Sequence, residues 1–294
     1  MTRHSPAGAR DASGTYACLS PAVKCCGARH VSVTTALGVL SKPALIQWAA
    51  NCAADEAQVC HDYTAPGVPH DIAWRRGTEA NDELRRRITT AHARTRDKAA
   101  ARGTEVHRIV EALAQGREPA TIPPEVVPYL DALRRFCDEQ RPIVAYSESV
   151  VSSRKGYAGT LDAIHRVSPS TRLMCPHGRH ASTHRHDIAE TWPAPDDLVI
   201  RDWKTRGNES KARLYGEEVL QLAAYRYATW MRSPDGAIRK MPRIDAAEVV
   251  LLWPPTGPAD PGYRIERVSA DREALAMFLH TLALYRYRRD QNGE

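Results

Sequence analysis

Asp202, Trp203 and Lys204 lie near the end of the run Asp197-Asp-Leu-Val-Ile-Arg-Asp-Trp-Lys-Thr205. On a strand, side chains alternate, so Asp202 and Lys204 share one face while Trp203 points to the other. A carboxylate beside an ammonium suits phosphodiester cleavage: the carboxylate holds a hard cation, and the lysine orients a water or offsets charge developing on the phosphate. The bland alternative is a surface ion pair, worth under about 1 kcal/mol. Asp162 sits in Tyr157-Ala-Gly-Thr-Leu-Asp-Ala-Ile164, where a carboxylate is costly to bury unless it meets a cation or a donor. Gly159, in the same stretch, gives the backbone room to bend or to admit a ligand closely. His107 follows Gly103 by one helical turn in Gly-Thr-Glu-Val-His-Arg-Ile-Val, so both fall on one face. Gln221 and Tyr225 are likewise four apart, offering an amide and a phenol to a phosphate or a nucleotide edge. Taken singly, a lone helix histidine is usually structural or solvated, and a half-polar helix face is the ordinary reading of the Gln–Tyr pair.

Such residues need elements to hold them. Ile143–Ser153 and Tyr157–Val167 read as strands joined by the turn Arg154-Lys155-Gly156, and Asp197–Thr205 as a third. An amphipathic helix follows over residues 217–232, then strands over 246–253 and 263–268, and a closing helix over 271–288. Upstream, Ser32 is a good N-cap, and helical spacing recurs over 43–60, 75–100, 103–116 and 124–140, with Pro-rich breaks at 66–69 and 119–124. Residues 1–28 show neither period and read as a mobile N-terminal arm. Residues 29–294 then form a single domain, helical over 29–140 and sheet-containing over 141–294. The fold class is α/β with a central mixed β-sheet flanked by helices.

Residues 168–195 interrupt this pattern as an insertion loop. Cys175, His177, His180, His184 and His186 place five nitrogen or sulfur ligands within twelve residues, and four would suffice for tetrahedral zinc. The spacing matches no zinc module, so a polar loop is the first reading and a zinc site the second. Cys18, Cys25, Cys26 and His30 form a looser cluster of the same kind, set against a reduced arm.

The order Gly-Thr-x-x-His, Gly-Thr-Leu-Asp, Asp-Trp-Lys-Thr, Gln-x-x-x-Tyr resembles the RecB-like branch of the PD-(D/E)XK nuclease superfamily, across about residues 103 to 230. The Val31–Ala54 lead-in is similar to stand-alone exonucleases of this kind in phages and mobile elements. The resemblance implies a restriction-endonuclease-like core and a metal-dependent DNA exonuclease acting in recombination, repair or phage DNA processing. It implies His107, Asp162 and Asp202 as ligands of Mg²⁺ or Mn²⁺, with the Trp203 carbonyl completing the set. Lys204 becomes the catalytic lysine, Glu148 a supporting acid, and Gln221 and Tyr225 neighbours of the DNA backbone. CRISPR-associated and phage relatives often carry an iron–sulfur cluster on one cysteine before the core and three after it. No cysteine follows Cys175 here, so no such cluster is expected. A non-catalytic DNA-binding scaffold with a nuclease fold, and a structure-selective endonuclease, are the alternatives.

Composition bounds these readings. The net charge of +6, with 34 of the 41 basic residues arginine, permits a nucleic-acid partner without requiring one. No apolar run reaches the roughly 18 residues of a membrane helix, and the start MTRHSPAGAR lacks a signal-peptide core. Seven scattered cysteines do not form a disulfide framework, and a soluble, cytoplasmic protein is expected. The chain contains no Gly-Lys-Ser or Gly-Lys-Thr, so any motor must come from a separate helicase or recombination protein.

Overall fold

The computed structural model describes residues 11, 15–19, 29–62, 79–114, 116–119, 121–167 and 196–292. Its elements run β1 (Thr15–Ala17), β2 (Arg29–Ser32), α1 (Val33–Leu37), α2 (Pro43–Asp62), α3 (Glu79–Ala114), α4 (Leu130–Gln140), β3 (Ile143–Ser153), β4 (Tyr157–Arg166) and β5 (Leu198–Thr205). They continue through α5 (Gly216–Arg226), β6 (Trp230–Arg232), β7 (Ile238–Lys240), β8 (Ala246–Leu252), β9 (Tyr263–Arg267) and α6 (Arg272–Asn292). The protein is α/β. Among the described residues, nine strands form one mixed sheet, ordered β7-β6-β3-β4-β5-β8-β9, with β2 also on β4 and β1 on β2. Pairings are antiparallel except β5–β8 and β2–β4. No helix of the described residues is long and apolar enough to cross a membrane. The insertion over 168–195, with Cys175, His177, His180, His184 and His186, lies outside the described residues.

Two compact units divide the chain: residues 1–40 with 105–294, and residues 41–104. The smaller unit contains α2 and the first part of α3, where Arg87 and Arg94 both pair with Glu56. The larger unit contains the whole sheet, with a core on each face. On one face, Val106, Ile109 and Val110 of α3 and Leu133 and Phe136 of α4 pack with Trp203, Val250 and Leu252. On the other, α1, α5 and α6 cover Ile164, Ile200, Val249 and Leu251. The odd residues of β5 therefore enter one core and the even residues face the other, as strand alternation requires.

Several boundaries differ from the sequence expectation. The helix expected over 217–232 ends at Arg226, and Trp230–Arg232 becomes β6, paired with Val150–Ser152. Its last residues gain a strand partner that period alone does not reveal. Gly103 does not break α3, although glycine costs a helix about 1 kcal/mol relative to alanine. Within the expected arm, Thr15–Ala17 forms β1, which pairs antiparallel with β2, and β2 in turn pairs with β4. Burial of Tyr16, Leu19 and His30 anchors this segment. His30 Nδ1 lies 3.1 Å from Ser152 Oγ. Cys18 is half-buried, and Cys25 and Cys26 lie outside the described residues.

Beneath the sheet runs a buried polar chain. Arg201 donates to Glu248 at 2.9 Å and lies 3.2 Å from His165 Nδ1, and Arg267 reaches Glu248 at 3.0 Å. Burial, aided by the Arg201 charge, holds His165 well below its ordinary pKa, so the ring is neutral and accepts from the guanidinium. The unfolded chain takes up a proton at this histidine near pH 6.5, which the folded chain resists. This contribution to stability is complete above about pH 6.5 and is lost as the pH falls below it. Denaturant unfolding of the wild type and of His165→Gln, compared from pH 7.5 to 5, should show the wild type losing stability relative to the variant as the pH falls below about 6.5.

Candidate active site

β4 is paired along its whole length with β3 on one side. On its other side it meets β2 at Tyr157 and Ala158, and β5 from Ala163 to Arg166. Gly159 to Asp162 are left without a strand partner there, and the candidate site is built in that gap. Asp162 uses its side chain where the ladder stops: its Oδ2 accepts the Trp203 backbone N–H at 2.9 Å. Trp203 is positioned by its indole, which is buried and edge-on to Phe136 with ring centres 4.8 Å apart. That anchoring turns Asp202 and Lys204 to the opposite face.

His107 comes from α3, one turn after Gly103. Its Nε2 lies 2.9 Å from the Trp203 carbonyl oxygen and its Nδ1 3.5 Å from Asp162 Oδ1. Lys204 Nζ sits 2.5 Å from Asp202 Oδ2, while Gln221 Nε2 of α5 donates to Asp202 Oδ1 at 3.0 Å. Tyr225, one turn further, is buried against Gly159. A Cβ at residue 159 would stand 2.6 Å from the Tyr225 ring, which is why the sequence needs glycine there. Glu148 belongs to β3, at φ +41°, and lies across from Asp162 between the register pairs Ser147↔Ala163 and Ser149↔Leu161. Glu111, one turn after His107, accepts from Ser147 Oγ at 2.9 Å.

The charges are strongly coupled. Burial pulls the His107 imidazolium down, but the Asp162 carboxylate outweighs it and raises the pKa to about 9. Burial pushes Asp162 up, yet the His107 and Lys204 charges leave it below the usual value. Asp202 is raised to about 6, by burial first, with Lys204 opposing and Asp162 adding to the rise. Withdrawal from water and the Asp162 charge lift Glu148 to about 7. Burial lowers Lys204, but Asp202 and Asp162 more than restore it, so the ammonium stays charged.

Three of these residues could hold a cation. His107, Glu148 and Asp162 each offer a ligand atom, all within 4.8 Å of one another. The 2.9 Å contact between His107 Nε2 and the Trp203 carbonyl is a hydrogen bond in which the nitrogen donates, so holding a metal through that nitrogen would require loss of its proton. Carboxylates, a carbonyl and one imidazole suit Mg²⁺ and, because of the imidazole, Mn²⁺.

The seven residues that the resemblance assigns to the nuclease site, His107, Glu148, Asp162, Asp202, Lys204, Gln221 and Tyr225, all lie in the larger unit. Gln221 and Tyr225 are turned inward: Gln221 is spent on Asp202, and Tyr225 is buried. Sequence reading passed over Glu218, which accepts from Arg206 at 2.7 Å and from the Tyr215 backbone N–H at 3.0 Å. Its place at the third position of α5 was the available signal. Tyr16 was also missed. Its hydroxyl lies 3.3 Å from Thr160 Oγ1, in a segment with no period to mark it.

No protein-family model matches the chain, and no curated protein matches it in sequence. Gly159→Ala drives a methyl group into the Tyr225 ring and should cost about 1–3 kcal/mol in denaturant unfolding. Combining it with Tyr225→Ala, which removes the clash, should cost less than the sum of the two single changes.

Proposed function

We propose that this chain is a metal-dependent DNA exonuclease that hydrolyses phosphodiester bonds, in keeping with the RecB-like resemblance. The observation that carries the reading is the convergence of His107, Asp162, Asp202 and Lys204 around one peptide, that of Trp203. These residue types are what hydrolysis of a phosphodiester requires, and their charges hold one another in place. Recombination, repair and phage DNA processing are the settings that fit such an enzyme.

His107, Asp162, Asp202 and the Trp203 carbonyl would hold the cation, with Glu148 in support. Mg²⁺ or Mn²⁺ held there would polarise the scissile phosphate and lower the pKa of a bound water. Lys204 supplies a positive charge that Asp202 keeps aimed at the site, where it offsets charge developing on the phosphate oxygens. Gln221 fixes the Asp202 carboxylate from the other side, so that its second oxygen stays on Lys204. The like charges of Asp162, Asp202 and Glu148 are costly without a counter-ion, and His107 and Lys204 supply part of that balance.

An end-labelled linear single strand should be degraded with Mn²⁺ and left intact with EDTA. Lys204→Met and Asp202→Asn should each lower the rate by about 10²-fold or more. Because each single change leaves a charge without its partner, the double variant is the control for folding. A circular single strand should survive; its cleavage would indicate an endonuclease. DNA bound tightly but uncut with either metal would favour the scaffold and overturn the proposal.

A further inference from the structure

The ten residues from Arg206 to Tyr215 join the catalytic strand β5 to α5, and they are more rigidly built than a connecting loop needs. Arg206 is held by three acceptors: the Thr205 carbonyl at 3.2 Å, the Arg213 carbonyl at 3.0 Å and Glu218 at 2.7 Å. Its own carbonyl accepts from Tyr129 Oη at 2.9 Å. Asn208 Oδ1 caps the short 3-10 turn Glu209–Lys211 by accepting from the Lys211 N–H at 3.1 Å. Arg264 donates to the Ala212 carbonyl from β9.

This scaffold presents one aromatic ring. The Arg206 guanidinium lies 5.3 Å from the centre of the Tyr215 ring, and the Arg206 side chain is only 15% exposed. Tyr215 keeps 47% of its surface in water. Its backbone is tied through the N–H bond to Glu218 Oε2, so both the ring's backing and its attachment are fixed by one buried carboxylate. Lys211 and Arg213 are exposed on the same segment, with Glu209 the acid among them. Glu218 also acts on the Lys204 ammonium, so the ring's support and the catalytic lysine share a neighbour. A lone exposed tyrosine is ordinary on a protein surface. One backed by a locked guanidinium beside a cluster of catalytic type has already lost the freedom that stacking would otherwise cost it.

We infer that Tyr215 is a stacking platform for an unpaired nucleobase, and that Lys211 and Arg213 accompany the adjoining phosphates of a single DNA strand. Every base offers a π-face, so the platform reads strand character rather than sequence. The inference rests on the nuclease reading and narrows it to a substrate with a single-stranded stretch at the site.

Binding of a fluorescently labelled single strand is measured by anisotropy in EDTA, where nothing is cut. Tyr215→Ala should weaken it at least about 5-fold, while Tyr215→Phe and Tyr215→Trp bind as the wild type does. Abasic substitutions are then walked along the strand. At one position the loss should match that of Tyr215→Ala in the wild type and add nothing in the variant. Equal binding by Tyr215→Ala and wild type overturns the inference, as does loss with Tyr215→Phe, which would assign the effect to the hydroxyl. A wild type that does not hold the strand overturns it too. If the strand is bound with the abasic signature yet never cut in Mn²⁺, the nuclease reading falls and the platform stands.

Discussion

Trp203 is held at three points: its N–H donates to Asp162, its carbonyl faces His107, and its indole is sunk into the core against Phe136. The rest of the site depends on that arrangement. With the indole anchored on one face of β5, the neighbouring Asp202 and Lys204 can only project to the other. Because the peptide of Trp203 serves as donor and acceptor at once, it fixes the distance between a residue of α3 and a residue of β4. Three separate elements are thus brought to register by one backbone unit.

The gap in β4 is the second half of this design. A fully paired strand would spend its backbone groups on ladders and would leave no room for a second layer of side chains. Here β2 and β5 divide one edge of β4 between them, and the four residues they leave are Gly159, Thr160, Leu161 and Asp162. Tyr225 packs onto the glycine, Tyr16 reaches the threonine, and the aspartate turns to Trp203. The N-terminal hairpin therefore belongs to the site's architecture, since β2 sets where the opening begins.

Charge is distributed in two tiers. Behind the site, Arg201, Glu248 and Arg267 form a buried network with neutral His165 that links β4, β5, β8 and β9. At the site itself, three carboxylates are balanced by one imidazolium and one ammonium. Carboxylates withdrawn from water in this way are costly without such partners. Glu148 in the left-handed region adds a local strain of the kind that persists where surrounding structure and function demand it.

Much of this was legible in the sequence. Strand alternation alone separates Trp203 from Asp202 and Lys204, and helical spacing alone joins Gln221 to Tyr225, because both periods are local properties of the backbone. The strands over 143–153, 157–166 and 198–205 follow from the same local patterns. What needed the tertiary structure is whatever depends on partners far apart in the chain. The end of α5 at Arg226 is decided by β3 pairing with β6, and the order of the N-terminal hairpin by its docking on β4. The inward turn of Tyr225 is decided by the missing side chain of Gly159, and the role of Glu218 by Arg206 reaching it from the end of β5. Periodicity records which way a residue faces, but only packing decides what it meets.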